Sequence, residues 1–318
     1  VIENEPADSI EKGTTYELTG RVLGWTEDTV VRWVSDVQGV LSTPTPNADG
    51  QVNVDLAVLE TGWHAVTLEA ENGDESVKQY STIGICEYPK TETFDSAPDP
   101  SQWTIYGDTY WDSEGWVEIT GNANYRAGQI FKTDSKINPG NFAVSFDIAT
   151  GGGTGSGADG YALSVWDVDN PTELEELLGK TKDGACLGYG LAIGCSTPVG
   201  LESDYRGFHI EFDTWYNWNG VARDPTTETH IGIMLNGNVD NHYLWAAVPS
   251  LEDLQWRHVR VDIELARVTV QLDGETIIEG DISGFLFEGG YLGVSGSTGS
   301  HTNYHRFDNL KMERCQVP

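Results

Sequence analysis

GFHIEFDTWYNWNGVARDPTTETHIGIMLN, residues 207–236, alternates acidic and aromatic side chains before it turns. In a strand, Glu211 and Asp213 fall on one face and Phe212 on the other. Two carboxylates side by side on one face repel, so a positive group should sit between them or one should carry a proton. Asn217, Asp224 and His230 follow, and then the strand-like run Ile231-Gly232-Ile233. Oxygen donors in this number suit calcium, and carboxylates with one imidazole suit a transition ion such as manganese. The stretch is expected to be a two-metal site that holds a surface loop still. A solvated acidic turn between two strands is the plain alternative for any one of these residues, but not for the whole ordered set.

Outward from this stretch, the chain reads as strands nearly throughout. In residues 1–87, Tyr16 and Leu18, then Val52, Val54 and Leu56, then Val66, Leu68 and Ala70 alternate with other residues. Asn47-Ala-Asp-Gly50 and Asn72-Gly73 mark turns between them. Short alternating strands at this spacing predict a β-sandwich. The run Gly62–Ala70 resembles the late strands of bacterial Ig-like and PKD-like modules, which implies a spacer. His64 is expected to be a hydrogen-bonded structural histidine. Cys86 to Pro100, with Pro89, Pro98 and Pro100, reads as a linker. Beyond it the predicted strands are longer and rich in aromatics: Trp116–Thr120, Phe142–Phe146, Tyr161–Trp166, Arg257–Leu265, Val268–Asp273, Tyr291–Ser295 and His305–Met312. One helix is predicted over Thr172–Leu178, with Thr172 and Glu175 as a capping box. The glycine-rich Gly151–Gly157 lacks the Gly-Lys-Ser/Thr of a phosphate loop and reads as a flexible entry to Ala158-Asp159.

Composition narrows the partners. At 318 residues the chain is long enough for one large domain or two. Eighteen basic against fifty acidic residues give a net charge of −32, which argues against nucleic acid and anionic membrane surfaces as partners. Solubility in a salty medium and divalent cation binding both suit such a charge. No apolar stretch is long enough for a membrane helix. No signal-peptide pattern opens the chain, and Val1 is expected to be a processed or trimmed start. The four cysteines allow three connectivities. Cys186–Cys195 with Cys86–Cys315 is the expected set, and it implies an oxidising, extracellular setting. The lack of an Asn-x-Ser/Thr sequon leans towards a bacterial exported protein.

The order Glu211-x-Asp213-x-Trp215-x-Asn217, then Asp224-Pro225, then His230-Ile-Gly-Ile233 closely resembles the metal loop of the legume (L-type) lectins, the concanavalin A family. The resemblance implies that Glu211, Asp213, Asp224 and His230 hold a transition ion, manganese or another. It implies that Asp213, the Trp215 carbonyl, Asn217 and Asp224 hold calcium. The gap from Asn217 to Asp224 is longer than in most members, so Asn219 is an alternative to Asn217. Ala158-Asp159-Gly160 matches the family's Ala-Asp-Gly signature, implying a cis Ala158–Asp159 peptide and an Asp159 carboxylate that accepts sugar hydroxyls. Gly184–Gly190 resembles the segment whose backbone N–H donates to the sugar, here that of Ala185. Ser295–Asn303 lies where the family's monosaccharide-selecting loop lies, offering Ser300 and His301. Trp215 is the implied aromatic platform, flanked by Tyr216 and Trp218, while Trp166 and Trp245 are expected in the core.

The resemblance spans residues ~92 to 314 and implies a two-sheet jelly roll. The expected architecture is all-β: an Ig-like β-sandwich spacer over 1–87, then a concanavalin A-like jelly-roll sandwich over 88–318. The expected function is non-covalent, calcium-dependent (and manganese-assisted) carbohydrate binding by a secreted or cell-surface adhesion protein. One alternative is a laminarinase-like glycoside hydrolase on the same fold. Retaining hydrolysis needs two carboxyls ~5–5.5 Å apart, and the second glutamate of such a run is missing after Glu211-x-Asp213. The other alternative is a structural adhesion module with a degenerate sugar site, favoured by the long metal loop and by Ala185.

Overall fold

The computed structural model describes residues 1–4, 9–86, 91–137, 140–155, 157–193, 197–198, 205–218, 222–282 and 289–312. The chain forms two units, Val1–Pro89 and Lys90–Arg314.

In the first unit, a five-stranded sheet runs in the order Ser9–Glu11, Glu75–Cys86, Gly62–Asn72, Val30–Ser35, Gly39–Ser42, beside a separate pair, Glu17–Arg21 with Gln51–Asp55. The alternation of Val52 and Val54 and of Val66 and Leu68 aims one face of each strand inward, where these residues surround the fully buried Trp33. His64 is structural: its Nδ1 pairs with Ser35 Oγ at 2.9 Å and its Nε2 with the Glu60 carbonyl at 2.8 Å.

The second unit is a sandwich of two seven-stranded sheets. One, here the front sheet, has the order Leu244–Ala247, His230–Leu235, Arg206–Asp213, Gly160–Asp167, Tyr291–Ser297, Ala127–Lys132, Trp103–Gly107. The back sheet has the order Glu275–Asp281, Arg267–Leu272, Arg257–Glu264, Asn141–Thr154, Thr302–Met312, Trp116–Thr120, Tyr110–Asp112. Their inner faces meet in one core in which Phe146 stands edge-on to Phe212 at 6.3 Å and Tyr161 stacks on Phe212 at 5.1 Å. Each large side chain buried this way contributes ~1.5–3 kcal/mol. The outer face of the front sheet is buried too, under a layer containing Cys186, Leu187, Tyr189 and Val239. Hence every residue from Gly207 to Asp213 is buried, polar ones included.

Several expectations need correction. The linker reading fails for Phe94, which is 5% exposed and packs against Trp103 and Phe307. Gly151–Gly153 are no flexible entry but the end of the Asn141–Thr154 strand. A Cβ on Gly153 would lie 1.4 Å from the Thr302 carbonyl oxygen, so a bare backbone is required for the two strands to touch. The helix spans Pro171–Leu178, but Asn170 caps it, not Thr172. Asn170 Oδ1 accepts from the Glu173 N–H at 3.1 Å, and Glu173 accepts in return from the Asp169 N–H. Trp245 is 45% exposed, because its strand lies at the sheet edge. No described cysteine is free; the expected pairings run to Cys195 and Cys315, which lie outside the described residues, as does Asn219.

Candidate functional site

Register gathers the site. Gly160 pairs with Asp213 on one side and Ser297 on the other, and Asp213 pairs in turn with His230. The loops entering or leaving these strands therefore open at one end of the front sheet. The Asp159 N–H donates to the Ser297 carbonyl at 3.0 Å, and the Thr214 N–H to the Asp159 carbonyl at 2.9 Å. The turn carrying Ala185 joins them: Ser297 Oγ donates to the Gly184 carbonyl at 2.6 Å and the Gly184 N–H to the Thr298 carbonyl at 3.3 Å.

On the outer face at this end, two groups of ligand-bearing side chains share His230: Glu211, His230 and His242, and Asp213, Asp224 and His230. Within each group the ligand atoms lie within 4.8 Å of one another. The repulsion expected between Glu211 and Asp213 is relieved in both of the ways open to it. Burial pushes the Glu211 carboxyl up, but His230 and His242 outweigh it and hold the group down to about 2. Asp213 goes the other way, well above the usual carboxylate range, because of burial first and the charges of Asp224 and Glu211 next. Asp224 is raised to about 7, chiefly by burial, against the pull of the Asn217 N–H that donates to its Oδ2. The Asp224 N–H donates back to the Asn217 carbonyl at 3.1 Å, and Asn217 Nδ2 reaches the Trp215 carbonyl at 3.4 Å. Glu211 Oε1 is buried, with only the imidazole nitrogens of His242 and His230 beside it. A packed, buried set of carboxylates and imidazoles fits hard-cation and transition-ion binding.

The Ala158–Asp159 peptide, expected to be cis, is cis. Asp159 is 5% exposed, and its Oδ2 has no hydrogen bond. Burial, with the charges of Asp183 and Asp224 behind it, raises this carboxyl to about 7, while the Gly299 N–H pulls it down. His301, offered by the Ser295–Asn303 loop, is half-buried against Trp215, with ring centroids 4.3 Å apart. Trp218 is 69% exposed beside them in sequence. Ala185 is half-buried, and Ser300 is exposed with its carbonyl accepting from Asn124 Nδ2 at 2.7 Å.

Two residues of this region escaped the sequence reading. His242 Nε2 lies 2.6 Å from Glu211 Oε1 and 3.2 Å from His230 Nε2. The hint was Asn236-Gly237, whose positive φ values and the Asn238 N–H to Leu235 carbonyl bond form a tight turn. That turn begins the return of the chain towards His230. Glu252 accepts from Asn303 Nδ2 at 2.8 Å. A Cβ on Gly157 would lie 2.0 Å from Glu252 Oε1, so this carboxylate closes on the backbone just before Asp159.

The second unit has the jelly-roll fold of the L-type lectins. Lectin II from Ulex europaeus is similar at 18% identity and a TM-score of 0.56, over 71% of this chain and 98% of that one. Lectin I-B4 from Griffonia simplicifolia, in its metal-free form, gives 20% identity and 0.55 over 71% and 99%. The exoplasmic/lumenal domain of VIP36, bound to calcium and Man3GlcNAc, gives 19% and 0.50 over 72% and 92%. No family model and no curated protein matches the chain.

Proposed function

We propose that the chain is a calcium-dependent carbohydrate-binding lectin of an exported, bacterial adhesion protein, in which an Ig-like spacer over residues 1–87 carries the lectin module. The observation that carries this reading is the meeting of Asp159, with its unpartnered Oδ2, the Trp215–His301 ring pair and the acidic group at one end of the front sheet. Solved structures of the same fold are of VIP36 with calcium and mannosides and of the Ulex lectin with galactose.

Asp213, Asp224, Asn217 and the Trp215 carbonyl would hold calcium. Glu211 and His230, with the same two aspartates, would hold a transition ion. A bound divalent cation supplies the positive charge that lets these buried carboxylates ionise together. Asp159 Oδ2 accepts from sugar hydroxyls, the Trp215 face packs on the sugar C–H face, and the Asn217 amide and the Ala185 N–H donate. Ser300 and His301 would border the bound sugar and contribute to the choice of monosaccharide. Cys186–Cys195 pins the Ala185 turn, and Cys86–Cys315 belongs to the same extracellular design. Glu211 lends nothing to a hydrolase reading, since Tyr189 Oη donates to its Oε2 at 2.7 Å and both histidines crowd its Oε1.

A glycan array probed in calcium and again after chelation tests the proposal. Binding in calcium, lost on chelation and lost in Asp159→Ala with the fold retained, is the expected result. A parent protein that binds no glycan in calcium and manganese would leave a structural module in its place.

A further inference from the structure

The transition-ion pocket holds one more nitrogen than the Glu, Asp, Asp, His set implied by the resemblance. Glu211 Oε1, His242 Nε2 and His230 Nε2 converge, with separations of 2.6 Å from Glu211 to His242, 3.5 Å from Glu211 to His230 and 3.2 Å between the imidazoles. The three side chains are 3%, 7% and 1% exposed, so water does not satisfy them. Each of these atoms bears a lone pair when its group is in the form that ligates. The near partners of Glu211 Oε1 are the two imidazole nitrogens, His242 Nε2 at ion-pair distance and His230 Nε2 beyond it.

The backbone is shaped for this meeting. A Cβ on Gly232 would lie 2.8 Å from Glu211 Oε1 and 2.9 Å from His242 Cδ2. The bare glycine between Ile231 and Ile233 thus leaves the space into which carboxylate and imidazole converge. Atoms held ~2.0–2.1 Å from one tetrahedral ion lie about 3.3 Å apart. The two longer separations are already near that value.

Ligand type then selects the ion. Two imidazoles and carboxylates suit zinc, cobalt and nickel, which stand above manganese in affinity for nitrogen-bearing sites. We infer that Glu211, His230 and His242 form an imidazole-rich transition-ion site that takes a zinc-class ion in preference to manganese. This deepens the two-cation reading of the loop and rests on it, but it does not require that sugar be bound.

The test strips the intact protein with chelator, restores calcium, and titrates zinc and manganese separately by calorimetry. Metal analysis follows after dialysis against both ions together. Zinc should be retained over manganese. His242→Ala and His242→Gln should each weaken zinc by about 10–100-fold, since losing a ligand costs no less than losing a ligand's outer partner. Their calcium affinity should stay close to the parent's, which also shows that they fold. Cobalt-loaded parent should give a visible spectrum that both variants change. Preferential retention of manganese, or zinc binding indifferent to both substitutions, would overturn the inference. Zinc selectivity in a protein that binds no glycan would uphold this site and sink only the lectin proposal. Glycan binding without zinc selectivity would do the reverse.

Discussion

Replacing one carboxylate of the cation group should stabilise the metal-free protein and weaken the metal-loaded one. Asp224→Asn is the sharpest case, because the amide keeps an oxygen for the Asn217 N–H while the charge goes. The Asp224 carboxyl titrates at about 7 in the fold, against 3.8 in a free chain. At ~1.4 kcal/mol per pH unit, keeping it ionised at pH 8 costs about 4 kcal/mol. Screening at its exposed edge leaves ~2 kcal/mol as the part a substitution recovers. For a unit of this size that is a rise of about 4–8 °C in melting temperature. Calcium at 100 times its Kd gives the parent ~2.7 kcal/mol, and the variant should gain far less. The order of the two proteins in differential scanning fluorimetry should therefore invert between chelator and calcium. An asparagine variant that melts at or below the parent in chelator, or that keeps the parent's full calcium gain, would refute the reasoning.

The pH dependence gives the same argument a second handle. A carboxyl raised in the fold binds a proton there that the unfolded chain has already released. Its stabilisation is complete below pH ~4 and is lost as pH rises through about 7. In chelator, the parent should become more stable as pH falls from 8 to 6.5, and the Asn variant should gain less, because Asp159 and Asp213 remain raised in it while the contribution of Asp224 is gone. The window closes at 6.5 because His209 and His305, both pushed down to about 3 by burial, act in the opposite direction below it.

Three other expectations follow from the same atoms. From pH 6.5 down to about 3, each of those two histidines should remove ~1.4 kcal/mol of stability per pH unit. His305→Gln should flatten that limb in urea titrations, and an unchanged slope would count against a neutral buried imidazole. Carbohydrate affinity at fixed calcium should fall as pH drops below 7, since Asp224 then takes up a proton in competition with the cation and Asp159 loses the charge that accepts sugar hydroxyls; calorimetry showing constant affinity from pH 8 to 5 would contradict it. Gly153→Ala should cost more than ~4 kcal/mol, because its methyl would meet the Thr302 carbonyl at 1.4 Å. A variant with the parent's urea midpoint would show that the strands can part there.

The parts of this protein that could be read from its sequence are those whose physics is local. Alternation alone puts Glu211 and Asp213 opposite Phe212, and the strand Arg206–Asp213 obeys it, with Phe212 in the core between the sheets. Ordered oxygen and imidazole donors over residues 211–230 could likewise be recognised, because one loop supplies nearly all of them. What could not be read depends on partners distant along the chain. Phe94 lies in a proline-rich stretch, and only the closing strand's Phe307, 5.5 Å away, shows that it belongs to the core. The glycines at 151–153 signal freedom when read alone. Against Thr302 they are instead the condition for close strand contact. Glu252 has no neighbour in sequence that hints at its grip on Asn303.

His242 shows most clearly why a ligand set taken from spacing stays incomplete. A motif fixes which donors a loop offers, but the hairpin return that follows decides what else reaches the ion. Here the chain turns at Asn236-Gly237 and sends an imidazole back over Gly232, onto a carboxylate that the motif had already assigned. The buried outer face of the front sheet makes that addition consequential. In water, a third donor would only exchange with solvent. Beneath the layer carrying Tyr189 it must be matched by a proton or by an ion. If the proposed site is occupied, the identity of its ion therefore depends on a residue outside the loop assigned to bind it.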